Sequence, residues 1–516
     1  MTTRASAANY DVGPGQTYAA IGDVPWESLA AGDTVLIHAR PTPYAEKWVI
    51  NRAGTALAPI TVRGVPDPQT GALPVITGEN ATTRAQLNFW NEERGLIKIG
   101  GSNTPPDGTP SYVVVESLHL LHARSAYTFT GRNGVTSYLA NAAGVYVEKG
   151  THVTVRNCEV EDNGNGIFVA SASDTVLLEG NYLHGNGNVG SIYEHNTYTE
   201  AKGIVYQYNR FAPLCSGCGG NNLKDRSSGT IVRFNWIEGG NRSLDLVDSA
   251  DPVLLGDPAY QQTFVYGNVL IKLDDNQNSQ FVHFGGDSGT TADYRGTLYL
   301  WNNTMVSLRS GNTTVASLST NAQTMELRDN ILYVANDGAL LALSDAAGTV
   351  SYSGNWLKPG FVDSHSGVTG AVNDAGGNVT GADPGFVAAS SQDFHLTAAS
   401  SARNQGTALP AALAPYPLDV EYKLHQQSEP RPIDTGIDVG AFGYGTIPDG
   451  GVTSGGDAGA SPDAFGGGGG DGMVGAPSGK STGCGCSAAG GDGSATFALV
   501  VIAIALATRR RRIGTK

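Results

Sequence analysis

Eight short segments decide how this chain is read: VTVRN (153–157), VLLEGN (176–181), IVYQYN (204–209), IVRFN (231–235), FVYGN (264–268), LYLWNN (298–303), MELRDN (325–330) and VSYSGN (350–355). Each is a β-branched or aliphatic run that ends in asparagine, and the asparagines follow one another at 24, 28, 26, 33, 35, 27 and 25 residues. Between them lie further runs of four to six residues with alternating apolar positions, separated by Gly, Asn and Asp, and nowhere a sustained 3.6-residue period. A unit of that size built from several short strands is the signature of a solenoid. Leucine-rich repeats would show LxxLxL and a propeller would need longer blades, so the pattern predicts an all-β chain, a right-handed parallel β-helix. Asparagine recurring at one phase predicts a turn that visits the left-handed region, with amides stacked from coil to coil. That structural ladder, rather than chemistry, is the reading of these asparagines.

Composition agrees. The 516 residues carry 70 glycines, only 15% charged residues and a net charge of −15. That acidic balance argues against a nucleic-acid binder, which needs clustered Lys and Arg to displace counterions from phosphate. Five cysteines are too few for a disulfide framework. Cys215-Ser-Gly-Cys218 is expected to close a local disulfide, since no second pair follows at zinc-ribbon distance, and Cys158 to be a small buried apolar residue.

The chain divides into a β-helix body over 8–445, a glycine-rich disordered linker over 446–483 and a tail over 484–516. Fourteen glycines fall between Ile447 and Gly483, a composition with little to bury. The tail holds Cys484-Gly-Cys486-Ser, an apolar run Ala495–Ala507 read as a short transmembrane helix, and Arg509 to Arg512. In that order these parts resemble the myxobacterial C-terminal sorting signal known as MYXO-CTERM. The resemblance implies export, processing near the Cys motif and display at the cell surface. The opening MTTRASAANYDVGPG has no apolar run of the signal-peptide kind, so a leader is expected upstream of it.

The flanks of the body also carry a resemblance. YDVGPGQTYAAIGDVPWESLAAGDTVLIHARPTPY (10–44) resembles the N-terminal cap of pectate-lyase-like β-helix proteins, which implies a short amphipathic helix plugging the first coil and GDTV opening the first strand. AGGNVTGADPGFV (375–387) and the segment 401–445 resemble the end of the same group.

Function on a solenoid should show as polar residues at outward positions of adjacent coils. In Asn221-Asn-Leu-Lys-Asp-Arg226, Leu223 facing in turns Asn222, Lys224 and Arg226 out. In Ser243-Leu-Asp-Leu-Val-Asp248, Leu244 and Leu246 facing in turn Asp245 out, with Asp248 at the following turn. In Phe281-Val-His-Phe284, His283 faces out. Lys224, Asp245 and His283 lie 15, 10 and 15 residues beyond their own ladder asparagines, so the three are expected to stack. One coil earlier, Tyr193-Glu-His195-Asn-Thr-Tyr198 adds His195 and Tyr198.

The run EHNTY, GGNNLKDR, SLDLVD is similar to uncharacterised bacterial β-helix proteins grouped with polysaccharide lyases. The resemblance implies that the His-Asn-x-Tyr and Asn-x-Lys-x-Arg strands form a polar groove. For β-elimination from a uronate, Lys224 is the expected base with Arg226 lowering its pKa. Arg226 and Asn222 would hold the carboxylate, His195 or Tyr198 would be the acid, and Asp245 with Asp248 would take Ca²⁺. Two rivals remain: a glycoside hydrolase using Asp245 and Asp248 or Asp274 and Asp275, and a non-catalytic surface protein that binds polysaccharide. The expected partners are a uronate-containing polysaccharide and, through the tail, a membrane, with the protein a monomer.

Overall fold

The computed structural model describes residues 7–275, 277–287 and 295–447. The linker beyond Ile447, the Cys motif, the apolar run and the arginine cluster therefore lie outside the described residues. No helix among the described residues is long and apolar enough to cross a membrane.

The short strands stack in parallel, each coil on the next. Among the described residues one sheet of 11 strands forms a face of its own, while a sheet of 23 strands covers the other faces of the coil. The larger sheet turns a corner inside single long strands, Ala143–Arg156, Asn165–Glu179 and Thr197–Gln207. Inside the coils alternate side chains form apolar stacks, such as Leu223, Leu244, Val282 and Ala316, all fully buried. The only α-helical turn among the described residues is Pro252–Leu255.

The ladder is present at seven of the eight quoted asparagines, and only Asn157 is one residue out of phase. Asn181, Asn209, Asn235, Asn268, Asn303, Asn330 and Asn355 are fully buried. Each Nδ2 donates to Oδ1 of the next at 2.9–3.3 Å, the last bond going to Asn378. The left-handed residue is the one before each ladder position: Asn157, Gly180, Tyr208, Phe234, Gly267, Asn302, Asp329 and Gly354 all have positive φ. Asn157 thus belongs to the left-handed row, and Cys158 occupies the ladder position, its backbone N–H donating to Asn181 Oδ1 at 3.1 Å. Burial pushes the Cys158 thiol up to about 12, so it behaves as the expected apolar residue.

Asn268 shows what one rung does: its Nδ2 donates to the Val232 and Tyr266 carbonyls at 2.9 Å as well as to Asn303. Asn268→Ala leaves those buried groups without partners and is expected to cost about 1–3 kcal/mol, read as a lower urea midpoint at unchanged slope.

The N-terminal end differs from expectation. Two 3-10 turns, Ile21–Asp23 and Trp26–Ser28, cover the first coil in place of an amphipathic helix. Pro25 separates them, and Trp26, fully buried, stacks on Trp48 at 5.4 Å. A strand Asn9–Val12 precedes the GDTV strand Thr34–His38 and pairs with it. Cys215 and Cys218 are disulfide-bonded.

Candidate functional site

On one face of the large sheet the register builds a single outward column. Lys98 lies opposite Tyr146, Tyr146 opposite Phe168, and Phe168 opposite Tyr198. The column continues with Tyr198 opposite Lys224, Lys224 opposite Asp245, and Asp245 opposite His283. Lys224, Asp245 and His283 therefore stack as their spacing predicts. The shorter count to Asp245 arises because its coil lacks an insertion like the one holding the Cys215–Cys218 loop.

An open cleft of about 660 Å³ runs along this column, lined by His195, Tyr198, Lys224, Arg226 and Asp245 and also by Asn221, Arg242 and Asp287. Lys224 Nζ donates to Asp245 Oδ2 and to Asp287 Oδ2, each at 2.8 Å. Arg226 Nη2 donates to the same Asp287 oxygen at 2.8 Å, its Nε donates to the Tyr198 phenol oxygen at 3.0 Å, and its Nη1 donates to the Asp248 carbonyl. One carboxylate oxygen on a 38% exposed side chain thus bridges the two cations of the cleft.

Asp245 is nearly fully buried. Burial alone would raise its pKa, but the hydrogen bond from His283 and the charge of Lys224 outweigh that and hold it well below the usual carboxylate range. His283 does not line the cleft. It stands behind Asp245, its Nδ1 2.8 Å from Asp245 Oδ1 and its Nε2 2.9 Å from Ser319 Oγ. It orients the carboxylate that orients Lys224.

His195 is 2% exposed, and its Nδ1 accepts the Asn221 backbone N–H at 2.9 Å. A backbone amide can only donate, so in the neutral ring the proton sits on Nε2. Burial first, and then the charge of Lys224, lower its pKa from 6.5 to about 3. The imidazole is therefore neutral through the physiological range, a hydrogen-bond donor rather than a cationic acid. The folded state resists a proton that the unfolded chain accepts near 6.5, so stability is retained above that pH and falls as pH drops from about 6.5 toward 3. His195→Gln should flatten that slope in urea titrations at pH 4 to 7. An unchanged slope would mean that His195 is protonated in the folded protein.

Two expectations about outward residues need correction. Asn222 does not reach the cleft: it precedes the strand Leu223–Asp225 and turns into a second, corner ladder. There its Oδ1 accepts from Asn196 at 2.6 Å and its Nδ2 donates to the Glu238 and Gly239 carbonyls at 2.9 Å. The Asp245 and Asp248 pair does not suit Ca²⁺. Asp245 Oδ2 accepts from Lys224 and Asn221, its Oδ1 from His283, and Asp248 Oδ1 accepts the Asp287 N–H at 2.6 Å with Arg226 at 3.5 Å. Hard cations need carboxylate oxygens that are not already committed to ammonium, guanidinium and imidazole groups.

Sequence reasoning missed Asp287, which no repeat phase marks, and passed over Asp225. The alternation that turns Lys224 and Arg226 out turns Asp225 in, where it is fully buried beside Arg295. Arg295 Nη2 lies 3.2 Å from Asp225 Oδ2 and donates to Ser227 O and Thr230 Oγ1 at 2.8 Å, while Nη1 donates to the Asp225 and Val247 carbonyls at 3.0 and 2.9 Å. This buried pair lies directly behind the cleft floor.

The family described as a right-handed beta helix region matches residues 121–251. That match and the stacked parallel strands support a right-handed β-helix fold for the body. No curated protein matches it. Among solved structures it is similar to an alginate lyase from Paenibacillus sp. str. FPU-7, at 14% identity over 71% of this chain and 99% of that one with a TM-score of 0.38. A pectate lyase is similar at 13% identity over 84% and 96%, TM-score 0.43. A PL6 family polysaccharide lyase from Pseudopedobacter saltans is similar at 11% identity over 73% and 94%, TM-score 0.37.

Proposed function

We propose that the cleft binds a uronate-containing polysaccharide and cleaves it by β-elimination, on a protein exported to the cell surface through the tail at 484–516. The observation that carries this reading is the Asp287 oxygen held 2.8 Å from both Lys224 and Arg226. A carboxylate already sits where two donors converge in an open groove, and a sugar carboxylate presents the same charge and geometry. In this reading Asp287 gives way to the substrate.

Lys224, already a donor to two carboxylates, is assigned to neutralising the sugar carboxylate together with Arg226, not to the base's role that the sequence suggested. Both would stabilise the enolate that forms as the C5 proton leaves. Tyr198 is the better base: its oxygen lies at the cleft wall, and as the phenolate, which accepts the Arg226 Nε–H bond, it takes the C5 proton. The electrons of the C5–H bond become the C4–C5 double bond, the C4–O bond breaks, and the proton passes from Tyr198 to the leaving oxygen. Neutral His195, with its proton on Nε2, is placed to donate a hydrogen bond to the sugar. Hydrolysis fits less well: Asp245 is held ionised, so Asp248 would have to be the protonated acid, and it instead accepts the Asp287 N–H and faces the Arg226 guanidinium at 3.5 Å.

Incubation of the protein with uronate polymers, following ultraviolet absorbance of the unsaturated product and new reducing ends separately, tests the reading. Both signals rising together are expected. Reducing ends without the chromophore would indicate hydrolysis. Neither signal, with measurable retention of the glycan, would indicate a binding protein.

A further inference from the structure

The 11-stranded sheet carries a second cluster of chemically capable side chains. Its strands His119–Leu121, Glu159–Glu161 and Tyr182–Leu183 belong to three successive coils, with His119 opposite Glu159 and Leu121 opposite Glu161. Leu120, Val160 and Leu183 are fully buried, so their neighbours His119, Glu159, Glu161 and His184 point outward together.

His119 Nε2 lies 2.9 Å from Glu161 Oε1, and its Nδ1 lies 3.9 Å from Glu159 Oε2. From the next coil, His184 Nε2 lies 3.2 Å from Glu159 Oε1 and its Nδ1 lies 3.5 Å from Glu161 Oε2. One ligand atom each from His119, Glu159 and Glu161 fall within 4.8 Å of one another.

Two features separate this cluster from an ordinary solvated patch. The first is charge: Glu159 and Glu161 stand side by side, about two-thirds covered, and among the described residues neither has a Lys or Arg within ion-pair distance. By contrast, Glu116 on a nearby strand lies between Arg63 and Arg156. Two adjacent carboxylates whose only ion-pair partners among the described residues are imidazoles suit a divalent cation. The second is geometry: zinc bonds to nitrogen and oxygen of about 2.0–2.2 Å put tetrahedral ligand atoms about 3.3–3.6 Å apart, and with one nitrogen from each ring the His119 Nε2–Glu161 Oε1 and His184 Nε2–Glu159 Oε1 separations, 2.9 and 3.2 Å, lie just inside that spacing. Mixed imidazole and carboxylate donors suit zinc and its transition-metal neighbours rather than calcium.

We propose that His119, Glu159, Glu161 and His184 form a divalent transition-metal site of the zinc class that staples three successive coils. The cluster is separate from the cleft and takes no part in the reaction proposed there.

Calorimetric titration of the chelator-treated full-length protein with ZnCl₂ tests it, with CaCl₂ as a second probe. One tight equivalent of zinc is expected, at least 100-fold tighter than calcium, together with a higher melting temperature. Glu161→Gln and His184→Asn, each melting close to the metal-free parent, should each weaken zinc at least tenfold. Cobalt added to the parent should give the visible absorption of a tetrahedral site, and either variant should lose it. His395→Ala at the other His and Glu cluster, formed with Glu421 and Glu429, should leave binding unchanged. Absence of zinc binding, equal affinity in both variants, or loss of binding in His395→Ala would overturn the proposal.

Discussion

Asp225→Ala is expected to lower stability by about 3–5 kcal/mol, the usual cost of removing one partner from a buried ion pair. The carboxylate and the Arg295 guanidinium are both fully buried. Asp225 also accepts from Thr199 Oγ1 at 2.9 Å and Thr230 Oγ1 at 2.6 Å. Its loss leaves a fully buried positive charge held only by neutral groups, among them the Ser227 and Val247 carbonyls, Thr230 Oγ1 and the backbone carbonyl of residue 225. The double variant Asp225→Ala, Arg295→Met removes both charges and should recover most of the loss, since a buried pair is worth little against an apolar replacement. Solenoids open by neighbouring repeats, so the urea midpoint should be followed beside amide exchange in Ser228–Arg233. A loss below about 1 kcal/mol would mean that water reaches Arg295.

The second large effect concerns the cleft. Arg226→Ala should lower kcat/KM on a uronate polymer by about 10²–10³, the scale for removing one donor aimed at developing charge. Arg226 touches the anion position and the Tyr198 oxygen at once, so its loss should appear in kcat as well as KM. Lys224→Ala should fall in the same range. It also leaves Asp245 buried with only Asn221, His283 and the more distant Arg242 near it, so its fold must be checked by melting. Asp287→Asn acts in the opposite direction. It removes the internal competitor for the two cations, and the expected result is a lower KM with kcat retained. If Asp287→Asn abolished turnover, Asp287 would be part of the machinery rather than a stand-in for substrate.

The repeat was legible because an asparagine ladder imposes one phase on coils of unequal length, and counting from it brought Lys224, Asp245 and His283 onto neighbouring strands. The count misplaced Asn157 by one residue: the left-handed position accepts Asn, Gly, Asp and even Tyr or Phe, so letter identity alone cannot separate the two rows. Alternation turned Asn222 outward on paper, but alternation holds only within a strand, and the strand begins at Leu223. The same rule applied one residue further on would have found Asp225 inside. Asp287 was illegible because it comes from a connection between coils, where length varies and no periodicity marks which side chain returns to the groove. The metal cluster was hidden for a related reason, since His119, Glu159, Glu161 and His184 meet only after stacking joins strands from three coils.

The most direct measurement is the structure of the protein bound to a uronate oligosaccharide that it cannot cleave. The account predicts a sugar carboxylate between Lys224 Nζ and Arg226 Nη2, with Asp287 displaced and the chain running along the Phe168, Tyr198 and Asp245 column. A glycan bound on another face, or bound here with Asp287 still bridging both cations, would contradict it.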